Sequence, residues 1–135
     1  MVVGAARPIP SDKTRFYWDG AREGRLLVLR CAACGRWQHP PDVGCPGCLG
    51  DDLVPTEMSG RGAIYSYSVV RQAFDPAFVS QLPFVVALVE LEEAPSVRML
   101  TNIVDADPAD VRVGMAVEVV FEDHGDWALP QFRPC

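Results

Sequence analysis

The spacing of apolar residues changes near Gly60, and the change separates two kinds of chain. Beyond it, apolar positions fall in short runs bounded by turn signals. Residues 63–70 (A-I-Y-S-Y-S-V-V) are rich in aromatic and β-branched side chains and predict a strand opened by Gly62. A loop at 72–83 follows, bearing Phe74, Asp75, Pro76, Phe78 and Leu82. Residues 84–91 form a near-continuous apolar run, which predicts a central strand. After a turn at 92–96, residues 97–104 predict a third strand, and Asp107-Pro108 opens a helical turn before Gly114. Met115, Val117, Val119 and Phe121 alternate with Ala116, Glu118, Val120 and Glu122, a strand with one apolar face. Residues 127–132 predict a short fifth strand. Five short strands with few helices predict a small closed barrel of the OB type, although the periodicity alone also fits a small sandwich.

Before Gly60 the pattern is sparser. Residues 1–10 read as a flexible lead-in. Ser11 or Asp12 can cap a helix running to about Glu23, with Gly24 as its stop. Phe16, Tyr17 and Trp18 are consecutive and cannot share one helix face: either one or two rings pack on the domain with the third half exposed, or an exposed ring marks a partner or ligand surface. Gly20 in mid-helix costs up to about 1 kcal/mol, which predicts a helix docked on the rest of the chain. Residues 25–30 predict a strand, and residues 51–55 predict its partner. The domain expectation is therefore a lead-in at 1–10, helix and ribbon at 11–59, and barrel with C-terminal tail at 60–135.

Between those two strands lie C-A-A-C (Cys31, Cys34) and C-P-G-C (Cys45, Cys48). Two C-x-x-C turns so close can aim four thiolates at one tetrahedral metal, and the strand–turn–turn–strand order is that of a zinc ribbon. Two disulfides, or one redox-active pair, are the competing readings. Gly35, Gly47 and Gly50 stand where such turns often need positive φ. One structural zinc ion is the predicted cofactor, and a complete four-cysteine shell leaves it no open position for chemistry. His39 could replace a cysteine only if that shell were incomplete. Trp37 is expected to shield the sulfurs or to pack on the neighbouring module.

Composition narrows the function classes. The chain has 135 residues and a net charge of −6. Residues 1–62 carry 8 basic and 7 acidic groups, residues 63–135 carry 4 and 11, and Lys13 is the sole lysine. An acidic barrel repels a phosphate backbone, so a single-stranded nucleic-acid module, the main alternative, lacks its basic groove. No apolar run approaches the roughly 18–20 residues that span a bilayer. With no secretory signal pattern, the reducing cytoplasm is the expected location, where paired C-x-x-C favours metal over disulfide. Cys135 reads as a free terminal thiol. No nucleophile elbow, phosphate loop or Ser/His/Asp arrangement is present, so no catalytic residue is assigned. Asp123-His124-Gly125-Asp126 reads as a solvated turn, and Glu90, Glu92 and Glu93 read as a solvated strand end.

Several segments together carry a family resemblance. They are F-Y-W-D-G-A-R-E-G-R-L, C-A-A-C-G-R-W-Q-H-P-P with C-P-G-C, G-R-G-A-I-Y-S-Y-S-V-V, P-F-V-V-A-L-V-E-L, V-G-M-A-V-E-V-V-F and L-P-Q-F-R-P. In this order the chain resembles the family of a rubredoxin-like zinc ribbon fused to an OB-fold, catalogued as domain of unknown function 35. The resemblance implies an accessory subunit bound to a thiolase-superfamily enzyme, such as a thiolase-like retro-aldolase of steroid side chains. That partner would supply the catalytic residues, and the accessory subunit would stabilise it and shape its acyl-CoA site. On this view Phe16, Tyr17, Trp18, Phe74 and Phe78 are candidate partner contacts, and Arg61, Arg71 and Arg98 are candidates to meet CoA phosphates. A free-standing acyl-CoA-binding protein is the remaining alternative.

Overall fold

A computed structural model describes residues 7–135, so most of the expected lead-in lies outside the described residues. The elements run α1 (Arg15–Arg22), β1 (Leu27–Cys31), β2 (Trp37–Gln38), β3 (Leu53–Glu57), β4 (Arg61–Val70), α2 (Pro76–Val79), β5 (Phe84–Leu91), β6 (Arg98–Ile103), a 3₁₀ turn (Pro108–Asp110), β7 (Ala116–Asp123) and β8 (Ala128–Pro134). Strands β2-β1-β3 form an antiparallel sheet, and β4-β5-β6-β8-β7 close into a five-stranded barrel. The barrel is antiparallel throughout except where β6 and β8 run parallel. This closed topology removes the sandwich alternative.

Strand β5 shows why the barrel forms. Its apolar run is only half core: Val85, Ala87, Val89 and Leu91 are buried, while Phe84, Val86, Leu88 and Glu90 are partly exposed. One face points into the barrel and meets Ile64, Met99, Val117 and Phe132, all essentially inaccessible. A bulge between Ile64 and Ser66 re-aims Tyr65 outward, where the Arg98 guanidinium lies 3.8 Å over its ring. At Gly62 an added Cβ would strike the Glu90 carbonyl oxygen, so only glycine lets β4 lie this close to β5.

The ribbon is stitched to the same core. Leu26, Val28 and Met58 belong to the barrel's buried cluster, and Trp37 packs against it with Arg30 4.9 Å over its ring. Pro55 sits in β3, an edge strand, where its missing N–H need not break the ladder with β1. Helix α1 docks as its glycine predicted: a Cβ at Gly20 would meet Leu27 Cδ1 at 2.7 Å.

Several expectations shift. The helix begins at Arg15, with Thr14 at the N-cap and no side-chain cap. Residues 12–14 form a turn instead, whose Thr14 and Arg15 amides donate to the Ser11 carbonyl. Strand β3 runs through Glu57, later than the expected 51–55. The loop at 72–83 holds α2, started by Asp75, whose carboxylate accepts from Ala77 N, and by Pro76 in the first turn. Two-residue β2 was too short to leave a periodic signal.

Candidate metal centre

Each knuckle is built by backbone hydrogen bonds before any metal is considered. Gly35 N donates to Cys31 O at 2.7 Å, and Leu49 N donates to Cys45 O at 2.8 Å, which folds each C-x-x-C into a tight turn. Cys31 N to Arg36 O and Cys45 N to Gly50 O then close the two turns in the same way. Gly35 takes positive φ (78°) as its position predicts, but Gly47 and Gly50 do not. In the second knuckle the left-handed residue is Leu49, at φ 63°. Gly50 lies close to the site: a Cβ there would come 3.3 Å from Cys48 Sγ, a tight contact.

These turns bring the sulfurs of Cys31, Cys34, Cys45 and Cys48 within 4.8 Å of one another. Cys31 Sγ and Cys48 Sγ are 3.6 Å apart, and Cys34 Sγ and Cys45 Sγ 3.5 Å. A disulfide needs about 2.05 Å. A tetrahedral ion with metal–sulfur bonds of about 2.3 Å separates its ligands by about 3.8 Å, so the set fits a metal and not two disulfides. Amide donors favour thiolates here: N–H groups of Cys48 and Gly47 act on Cys45, which is pulled down to about 6 against the opposing effect of burial. The Arg36 amide likewise favours the Cys34 thiolate, yet the neighbouring Cys45 and burial push Cys34 up to about 11. Four thiols this close resist carrying four charges, and a divalent cation relieves that repulsion.

His39 is not among the ligands. Its ring is largely buried, 5.3 Å from Tyr17, and burial lowers its pKa to about 4, so it stays neutral near pH 7. Its Nδ1 is buried without a hydrogen-bond partner among the described residues.

The structure separates the other predicted residues into distinct places. Phe16 lies over the ribbon beside Leu29, Leu53 and Pro55. Tyr17 turns inward, its hydroxyl 3.9 Å from Met99 Sδ, and burial pushes its pKa up to about 12. Trp18 meets Tyr17 edge-on at 5.1 Å and walls a groove with Pro40, Pro41, Leu100, Leu129 and Pro130. Phe74 is 94% exposed at the loop tip, while Phe78 packs 6.2 Å from Phe84. Arg61 and Arg71 are exposed at opposite ends of β4. Arg98 is engaged by Glu90 at 3.4 Å as well as by Tyr65. The three arginines do not converge on one point.

One solvated reading is corrected. The His124 side chain is 2% exposed, stacked 4.1 Å from Trp127 and 2.6 Å from Glu122 Oε1. Glu92 and Glu93 stay exposed at the strand end, as expected; the slight burial of Glu93 pushes its carboxyl up, but bonds accepted from Ser59 N and Ser59 Oγ hold it below the usual range. Cys135 is an exposed free thiol, as expected. The groove beside Trp18 was missed, although Pro130 inside a predicted strand was a signal for it. Among the described residues no helix is long and apolar enough to cross a membrane.

Comparison with known proteins agrees with this architecture. Residues 18–54 match the family described as "ChsH2, rubredoxin-like zinc ribbon domain", and residues 55–122 match "ChsH2, C-terminal OB-fold domain". A solved structure titled "Ltp2-ChsH2(DUF35) aldolase" superposes with a TM-score of 0.85 at 39% identity, over 95% of this chain and 98% of that one. A "DUF35 domain-containing scaffold protein" of Methanocaldococcus jannaschii is 40% identical over 126 residues, 87% of each chain. The "3-oxo-4,17-pregnadiene-20-carboxyl-CoA hydratase alpha subunit" of Mycobacterium tuberculosis is 40% identical over 131 residues, 95% of this chain. The chain spans 40% of the length of that hydratase subunit.

Proposed function

The chain belongs to the ChsH2-type, or DUF35, family of a rubredoxin-like zinc ribbon followed by an OB-fold, and on that premise we propose that it is a non-catalytic accessory subunit of a thiolase-superfamily enzyme. The partner is a thiolase-like retro-aldolase that cleaves steroid side chains carried as CoA thioesters. The observation that supports this most strongly is the near-complete overlap, at 39% identity, with the DUF35 chain of a solved aldolase complex. The chemistry of the chain agrees with it. Four thiolates would hold one zinc ion with no ligand position left for substrate, so the ion's work is to hold the knuckles in place.

In this reading the helix, ribbon and barrel form a presenting surface, and the partner supplies nucleophile and acid–base groups. Phe16, Trp18, Phe74 and Phe78 are the proposed apolar contacts, and Tyr17 anchors α1 beneath them. Arg61, Arg71 and Arg98 are the proposed cations toward the CoA side. The assembly is a hetero-oligomer around a thiolase-type dimer, located in the cytoplasm. Pull-down from the native host, followed by co-expression with the thiolase-type protein recovered, is the direct test. A hetero-oligomer stable through size exclusion is expected. A chain that stays monomeric with every thiolase-type protein of the host would refute the proposal.

A further inference from the structure

Among the described residues, each strand junction of the barrel but one is held by three or more residue pairs. Strands β6 and β8 share a single parallel pair, Ile103 with Phe132, beside which Val104 N donates to Phe132 O at 2.8 Å. Backbone groups of successive strand residues turn to opposite edges. Those of Leu100 and Asn102 therefore face the β8 side, while those of Met99 and Thr101 face β5. Extending the ladder toward Leu100 requires an N–H at Pro130, two residues before Phe132, and proline has none. In the antiparallel pair with β7 the same proline costs nothing, because its nitrogen points away from that strand. Pro130 thus stops the seam, and the Leu100 N–H and C=O face a gap.

The gap is a groove of about 470 Å³. Its walls come from all three parts of the molecule: Tyr17 and Trp18 of α1, Pro40 and Pro41 after β2, and Leu129 and Pro130 of β8. Among the described residues, none that line it is an Asp, Glu, Lys or Arg, in a chain of net charge −6. At its rim the Leu100 side chain is 70% exposed.

We propose that this open edge of β6 receives an extended, uncharged stretch of the partner polypeptide, which adds as a strand alongside Arg98–Asn102. The inference rests on the accessory-subunit reading and names where that partner seats. An edge with main-chain donor and acceptor groups at strand spacing is matched by another main chain, with apolar side chains entering the groove. The uncharged lining suits a neutral segment, since burying an unpaired charge there would carry a large penalty. A CoA thioester fits less well: its phosphates need cations, and the arginine of this edge, Arg98, is already held by Glu90 and Tyr65.

Amide hydrogen exchange, resolved by residue, tests the proposal on the free chain, the chain with a CoA thioester, and the complex with the thiolase-type protein recovered by pull-down. In the complex the Leu100 amide should slow at least roughly tenfold, while Met99 and Thr101, already laddered to β5, change little. Leu100→Pro, compared with Leu100→Ala, isolates the lost N–H and should weaken the complex by about a further tenfold. A complex that forms without slowing Leu100, and that tolerates the proline as well as the alanine, overturns the edge and leaves the accessory-subunit reading intact. Slowing by the CoA thioester alone assigns the edge to the small molecule and overturns the polypeptide occupant. Failure to recover any complex removes both.

Discussion

In the barrel, Phe132, Ile64, Val89 and Val117 are packed to essentially zero exposure, whereas the knuckles of the ribbon bury little besides Cys31 and Cys45. The two regions are both antiparallel sheet for most of their length, yet different forces hold them. The barrel is stabilised by apolar area removed from water, roughly 25 cal/mol per Å². The knuckles have no such area to remove; Val43 and Leu49 are 72% and 89% exposed. A ribbon of this size depends on its metal. Strand β1 joins the two regimes, because Val28 near one end lies in the barrel core and Cys31 at the other belongs to the four-cysteine cluster that could hold a metal. Metal loss should therefore free the knuckles without releasing the start of β1.

The largest effect should come from Cys45→Ser. Structural zinc sites contribute on the order of 10 kcal/mol. Metal analysis should show the ion gone, and hydrogen exchange should show residues 31–50 unprotected while β4–β8 keep their protection. Zinc retained at one ion per chain would contradict the four-thiolate site. The converse is Phe132→Ala, which should cost the barrel about 3–5 kcal/mol in denaturant unfolding. Its zinc content in native buffer should stay stoichiometric, because no ligand is touched.

His39 probes the joint between the regions through pH. Its folded pKa of about 4 lies below the unfolded value of 6.5, so the unfolded chain binds the extra proton between them. The stability it contributes is complete above pH 6.5 and is lost as pH falls toward 4, up to about 3 kcal/mol. Acid also protonates the thiolates, so the comparison must be with His39→Phe at equal zinc occupancy. The difference between the two pH curves should be confined to that window, and parallel curves would contradict a buried neutral ring. The smallest effect is local: Asp75→Ala should cost about 1 kcal/mol, read as faster exchange in α2 alone.

The metal set was legible in the chain because both knuckles are sequence-local turns, and spacing alone carries four sulfurs together. Strands β5 and β7 were legible because one buried face leaves an alternating or apolar record. What escaped depends on partners distant in sequence. His124 looks solvated beside two aspartates until Trp127 folds over it. The tripeptide Phe16-Tyr17-Trp18 reveals three faces but not that Tyr17 takes the inner one, which Met99 on β6 decides. Pro130 is visible as a proline, but its consequence requires knowing which edge of β8 faces β6. The N-terminus of α1 was misplaced because the Ser11 side chain meets the Thr14 hydroxyl and caps no helix amide, while its carbonyl accepts from Thr14 and Arg15. In the second knuckle, glycine at 47 and 50 suggested positive φ, but Leu49 takes it, and the two glycines are only closely approached by the Arg36 and Cys48 side chains.

The central claim is that the chain assists a reaction whose chemistry belongs to another protein. Titrating the chain into its thiolase-type partner and following cleavage of the CoA thioester measures this directly. The chain alone should give no turnover, and partner activity should rise with added chain and level off at one chain per partner subunit. Cys45→Ser should lower that plateau. Turnover by the isolated chain, or a partner fully active and equally stable without it, would contradict the account.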